Sequence, residues 1–190
     1  MGDRKSKLSG DAVALDLTTR GWSTSAIRDE MFIQICRQTT DNKRDDSLEK
    51  GWELMAICLA FFPPSPKFHS YLESYIYRNL NQCHDTDKVQ VSHYASHCLK
   101  QLVRISLSGA KKGLKKPTIE EIEQARNSIF NPSMFGNSLE EVMALQKEKF
   151  PDRKLPWILQ TLAAEVLRLH GAQTEGIFRS DICTCTYPKL

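Results

Sequence analysis

The segment from Gly51 to Phe62 constrains this chain most. It places Trp52, Leu54, Met55, Ile57, Leu59 and Phe61 on most sides of a helix, and Pro63, Pro64 and Pro66 stop it. A helix without a polar face has to be covered all round, so this one belongs at the centre of a bundle. Its longest apolar run, Leu54 to Phe62, is about half the roughly 18 residues that a membrane span needs.

The flanking segments carry the stripes that would cover it. Ile27, Met31 and Ile35, widened by Phe32 and Cys36, repeat at helical spacing. So do Phe68, Tyr71, Leu72, Tyr75, Ile76 and Leu80, and then Val91, Tyr94, Ala95, Cys98, Leu99 and Leu102. Loops are expected at Thr19–Ser25, at Thr39–Arg44, in the glycine and lysine stretch Gly109–Lys116, and at Asn131–Asn137, the best linker. Asp46 with Glu49 can cap the central helix. Thr118 with Glu121 and Ser138 with Glu141 have the spacing of capping boxes, in which each side chain satisfies the other residue's backbone N–H. A last helix follows Pro156, with Leu155, Ile158, Leu159, Leu162, Val166 and Leu169 on one face and Gly171 as its C′ residue. No run alternates strictly, so the fold class is all-α.

A chain of 190 residues with 41% apolar and 26% charged side chains can build one domain, or one small domain and part of a second. The formal charge of +3 is too small for a nucleic-acid binder, and no nucleic acid is expected as a partner. Met1 to Gly10 is polar and charged with no apolar stretch behind it, which does not fit a signal peptide. The six cysteines (Cys36, Cys58, Cys83, Cys98, Cys183 and Cys185) then read as reduced thiols of a cytoplasmic protein.

Positive charge is concentrated early, with 18 basic against 13 acidic side chains over residues 1–117. On the helix beginning near Val91, the residues His93, His97, Lys100 and Arg104 share a face opposite Val91, Tyr94, Cys98 and Leu102, and are expected to face water. With Lys111, Lys112, Lys115 and Lys116 they define a candidate basic face for an acidic peptide, a cytoskeletal partner or an anionic membrane. A zinc site built from Cys83, His84, His93, His97 and Cys98 fails on the same phase, because Cys98 points inward while the histidines point out. Cys183 and Cys185 form no second pair of ligands. There is no Ser-His-Asp or Cys-His constellation, no glycine-rich phosphate loop and no recognisable carboxylate pair, so no metal, no cofactor and no enzyme chemistry of its own are expected.

Two stretches resemble known families. Arg28-Asp29-Glu30-Met31-Phe32-Ile33-Gln34-Ile35-Cys36-Arg37-Gln38-Thr39-Thr40, Gly51-Trp52-Glu53-Leu54-Met55 and Phe62-Pro63-Pro64-Ser65-Pro66-Lys67-Phe68, then Tyr71-Leu72, are similar to the myosin tail homology 4 domain, with a weaker continuation through Lys116-Pro117-Thr118 and Glu120-Glu121. These are packing features rather than chemistry. Met1-Gly2-Asp3 resembles the end of a motif that closes the family's preceding helix, which implies residues 1–130 as such a domain with its first helix missing and an apolar groove uncovered.

The second resemblance is to the start of a RhoGAP domain. It rests on Met134-Phe135-Gly136, Ser138-Leu139-Glu140-Glu141-Val142, Leu155-Pro156-Trp157-Ile158-Leu159 and above all Gly171-Ala172-Gln173-Thr174-Glu175-Gly176-Ile177-Phe178-Arg179. The resemblance implies residues 131–179 as the N-terminal part of an all-α RhoGAP domain and 180–190 as a divergent, disordered tail. It assigns Arg179 as an arginine finger, a guanidinium that offsets charge on a transferring phosphoryl group of a Rho/Rac-type small GTPase. The domain order resembles the Vilse/CrossGAP type of Rho GTPase-activating protein. Two readings follow: a fragment or isoform of a GTPase activator in signal transduction to the cytoskeleton, whose own activity is lost with the rest of the catalytic domain, or a non-catalytic helical module binding a cytoskeletal or acidic peptide partner.

Overall fold

The computed structural model describes residues 9–110, 116–135 and 137–177. Among these the regular structure is helical throughout. The chain divides into two packed units, residues 1–131 and 132–190.

In the first unit the helices are α1 (Gly10–Ser23), α2 (Arg28–Thr39), α3 (Asp45–Phe61), α4 (Pro66–Arg78), α5 (Val91–Ser108) and α6 (Ile119–Asn127). The expected central helix is α3, which packs on α1, α2, α5 and α6. Trp52, Met55, Ile57, Cys58 and Leu59 are completely or almost completely buried, and burying each large one contributes roughly 1.5–3 kcal/mol. Its N-terminus lies earlier than Gly51, because Asp45 and Asp46 suit the positive end of the helix dipole and Ser47 and Leu48 are buried. Close approach is purchased at Gly51, where a Cβ would stand 2.4 Å from the Thr39 methyl.

The loop expected at Thr19–Ser25 shrinks to Thr24 and a short 3₁₀ turn, Ser25–Ile27. Helix α1 continues to Ser23 on a buried face of Ala14, Thr18 and Gly21, small residues that give little hydrophobic signal but let α1 lie close to Phe62. Arg28 ties the junction together. Its Nε donates to the Gly21 carbonyl at 2.7 Å, an Nη donates to the Trp22 carbonyl at 3.1 Å, and the guanidinium lies over the Phe62 ring.

Caps fix the remaining ends. Ser65 caps α4 ahead of Pro66, and the Thr118–Glu121 box opens α6 as its spacing predicts. Helix α5 has no side-chain cap at Gln90; instead Asp85 accepts from both the N–H and the hydroxyl of Ser92 at 2.7 and 2.8 Å. Arg126 of α6 pairs with Asp11 of α1 and lies 3.8 Å from Glu53 of α3, which pins three helices at one point.

The second unit holds α7 (Leu139–Gln146), opened by the expected Ser138–Glu141 box, and α8 (Trp157–Arg168). Gln146 is its buried polar centre, donating to the Leu155 carbonyl at 3.0 Å and accepting from the Trp157 N–H at 2.8 Å. Pro156 is the N-cap rather than N1. The left-handed position after α8 is His170, at φ 59°, not Gly171. Gly171 is needed for space, since a Cβ there would meet the Val166 carbonyl oxygen at 2.7 Å. The α8 stripe differs from expectation too: Leu159, Leu162 and Leu169 remain exposed, because the short α7 covers little of it within this unit.

Candidate partner-binding site

Helix α5 carries the predicted basic face. Val91, Tyr94, Cys98, Leu102 and Ile105 are buried and fix its phase, which turns His93, Lys100 and Arg104 outward. These three are close enough to His97 for each positive charge to act on it.

His97 itself departs from the expectation that it faces water. It is half-buried, and desolvation, followed by the charges of His93, Lys100 and Arg104, lowers its pKa to about 4. It is therefore neutral near pH 7 and adds no charge to the face. His93 is exposed but engaged: its ring stacks on Phe130 with centroids 4.9 Å apart and planes at 2°, and its Nε2 lies 2.8 Å from the Ile129 carbonyl oxygen. It anchors the segment after α6. Among the described residues, the lysine and arginine of the predicted face on α5 are Lys100, exposed, and Arg104, half-buried, and Lys116 is exposed ahead of α6. Lys111, Lys112, Lys115 and Arg179 lie outside the described residues.

The structure also places the residues weighed for zinc. Cys98 is fully buried, Cys83 is exposed, and among the described residues no three His, Cys, Asp or Glu side chains converge as a metal site. Burial raises the Cys58 thiol to about 12 and the Cys98 thiol higher still, so both stay protonated.

Three concave surfaces border α4, none of them with a signal in the sequence. A polar cleft of about 650 Å³ runs from Thr39–Lys43 past Tyr75 and Arg78 to Cys83–Thr86. A shallower groove of about 470 Å³ lies between α2 and α4, floored by Ile33, Cys36, Phe68 and Tyr71 and flanked by Arg37 and Arg78. The stripe reading put Tyr71 in the core, yet it is 72% exposed, at the edge of the arc that Leu72 and Ile76 bury. Tyr75 is held in place: its hydroxyl meets Thr39 Oγ1 at 2.7 Å and donates to the Cys36 carbonyl, and its ring stacks on Trp52.

Comparison with known proteins is consistent with this helical unit. A family model described as the MyTH4 domain, the myosin tail homology 4 domain, matches residues 14–124. The chain is 30% identical over 112 residues to the myosin-I heavy chain of Dictyostelium discoideum, covering 59% of this chain and 5% of that protein. It is 39% identical over 98 residues to the kinesin-like protein KIN-14E of Arabidopsis thaliana, covering 51% of this chain and 7% of the relative. It thus spans less than a tenth of each. Among solved structures, the MyTH4-FERM MF1 domain of Dictyostelium discoideum myosin VII superposes with a TM-score of 0.52 at 30% identity, covering 58% of this chain and 21% of that one.

Proposed function

Because the chain belongs to the MyTH4 domain family, we propose that it is a non-catalytic interaction module that attaches a larger polypeptide to the cytoskeleton through an acidic partner. The observation that carries this reading is that the matching relatives are a myosin and a kinesin-like protein, of which the match covers only 5% and 7%. A unit shared by such motors at so small a share of their length acts as a portable docking domain. The contact assigned to the partner is the α5 face of Lys100, Arg104 and Lys116, extended by Lys111, Lys112 and Lys115. No helix among the described residues is long and apolar enough to cross a membrane.

Co-sedimentation with microtubules and with actin filaments tests it. The chain should pellet with one of them at about 50 mM salt and much less at about 200 mM, since exposed charges are screened over a Debye length. Lys100→Glu/Lys116→Glu should weaken pelleting. Failure with both filaments, or indifference to the charge reversal, overturns the reading.

A second reading is favoured by one string, Gly171 to Arg179, which resembles the arginine-finger segment of RhoGAP domains. In it, residues 131–179 begin a GTPase-activating domain of a longer protein and Arg179 acts in trans on a Rho/Rac-type GTPase. The family model ends at residue 124, before this segment. Single-turnover GTP hydrolysis by a Rac-type GTPase with the chain in excess decides it. Acceleration lost in Arg179→Ala supports activation by this chain; no acceleration leaves the first reading as the whole function of these residues.

A further inference from the structure

We propose that the groove between α2 and α4 is a docking site for a short acidic protein segment carrying an aromatic or aliphatic side chain between its carboxylates. The groove combines two features that ordinary surface does not. Phe68 and Tyr71 stack at 6.2 Å and 25° and present an open aromatic floor with Ile33 and Cys36, although Tyr71 is 72% exposed. Arg37 and Arg78 flank that floor, and no acidic side chain lines it.

Neither guanidinium has an ion-pair partner among the described residues. Arg78 is close enough to Cys36 and Tyr75 for its charge to act on both. It also lines the polar cleft, where Asp41, Asp45 and Asp85 stand, and a third hollow with Glu73, Tyr77, Leu99 and Val103, so it borders three concave surfaces, of which the α2–α4 groove alone has no acidic lining. A guanidinium receives a carboxylate through two parallel N–H bonds and tolerates an aromatic face beside it. The complement is a segment with a carboxylate for each arginine and an apolar side chain for the floor. None of the α5 basic residues lines this groove, so the site is independent of the α5 face.

The test is fluorescence anisotropy with a fluorescein-labelled peptide containing Asp-Glu-Phe-Glu-Asp, beside versions with Phe replaced by Ser and with the carboxylates replaced by amides. Arg37→Gln/Arg78→Gln should weaken binding about tenfold or more, and Tyr71→Ser about threefold or more, with far-ultraviolet circular dichroism unchanged. Both control peptides should bind worse than the parent peptide. Lys100→Gln/Lys116→Gln should change the affinity by less than about twofold, which separates this site from the α5 face. The proposal is overturned by absent binding, by affinity that ignores the arginine pair, by an equal loss in the lysine pair, or by arginine-dependent binding to phosphatidylserine vesicles without peptide binding.

Discussion

Asp29 grips Ser65 with both carboxylate oxygens: Oδ1 accepts from the Ser65 N–H at 2.8 Å and Oδ2 from its hydroxyl at 2.6 Å. Ser65 Oγ in turn accepts from the Phe68 N–H at 3.3 Å, so one carboxylate in the first turn of α2 sets the start of α4. This contact holds the two walls of the aromatic and arginine groove in register.

Asp29→Ala removes the acceptor from two donors that are partly shielded from water. The expected loss is about 2 kcal/mol, since hydrogen bonds to a charged group are stronger than neutral ones. Urea denaturation should show a lower midpoint at an unchanged slope. A midpoint equal to that of the parent would mean that Pro63, Pro64 and Pro66 set the elbow alone.

Gly51→Ala should destabilise by about 1–3 kcal/mol, because the new Cβ falls 2.4 Å from the Thr39 methyl. Thr39→Ser removes that methyl and keeps the hydroxyl that meets Tyr75. The double variant should recover much of the loss, and a double-mutant cycle measures the coupling. Additive effects would place the clash elsewhere.

These contacts show what the sequence made legible. The central helix, both capping boxes and the inward phase of Cys98 follow from periodicity and cap chemistry, because each is a local pattern with one physical meaning. Helix α1 carries no stripe that the sequence shows, and its last turn falls in the loop expected at Thr19–Ser25, because its buried face is Ala14, Thr18 and Gly21, whose smallness serves close approach rather than hydrophobic contrast. Gly171 was given a conformational role when its role is steric, and His170 takes the left-handed turn. The α5 face was legible as a helical phase, but the partial burial of His97 was not, since helical phase gives direction and not depth of burial. Arg37, Tyr71 and Arg78 lie far apart in sequence and meet only through the packing of α2 on α4.

His97 should give stability a pH dependence of definite sign. Its pKa is lowered to about 4 by burial first and by neighbouring cations second, below the usual value near 6.5. Between about pH 4 and 6.5 the unfolded chain therefore binds more protons at this site than the folded chain, and stability rises with pH. The slope from this residue is at most about 1.4 kcal/mol per pH unit. Urea midpoints from pH 4.5 to 7 should rise in the parent and rise less in His97→Gln; an equal rise in both would assign the dependence to other groups.

Thiol reactivity should follow burial. Cys83 is exposed, Cys36 half-buried with its thiol raised to about 12, and Cys58 and Cys98 fully buried. Among these four described cysteines, maleimide labelling read by peptide mass mapping should modify Cys83 first, Cys36 slowly, and Cys58 and Cys98 only in urea. Early labelling of Cys98 would contradict the packing of α5 on α3.

In the proposed function an acidic partner sits on the outward face of α5. Amide chemical-shift mapping by NMR, during titration with a glutamate-only peptide at about 50 mM salt, tests it most directly. Shifts should concentrate at Lys100, Arg104 and the segment leading to Lys116 and fade at higher salt, with residues 139–177 unmoved. Shifts centred on the second unit, or none at saturating peptide, would contradict it.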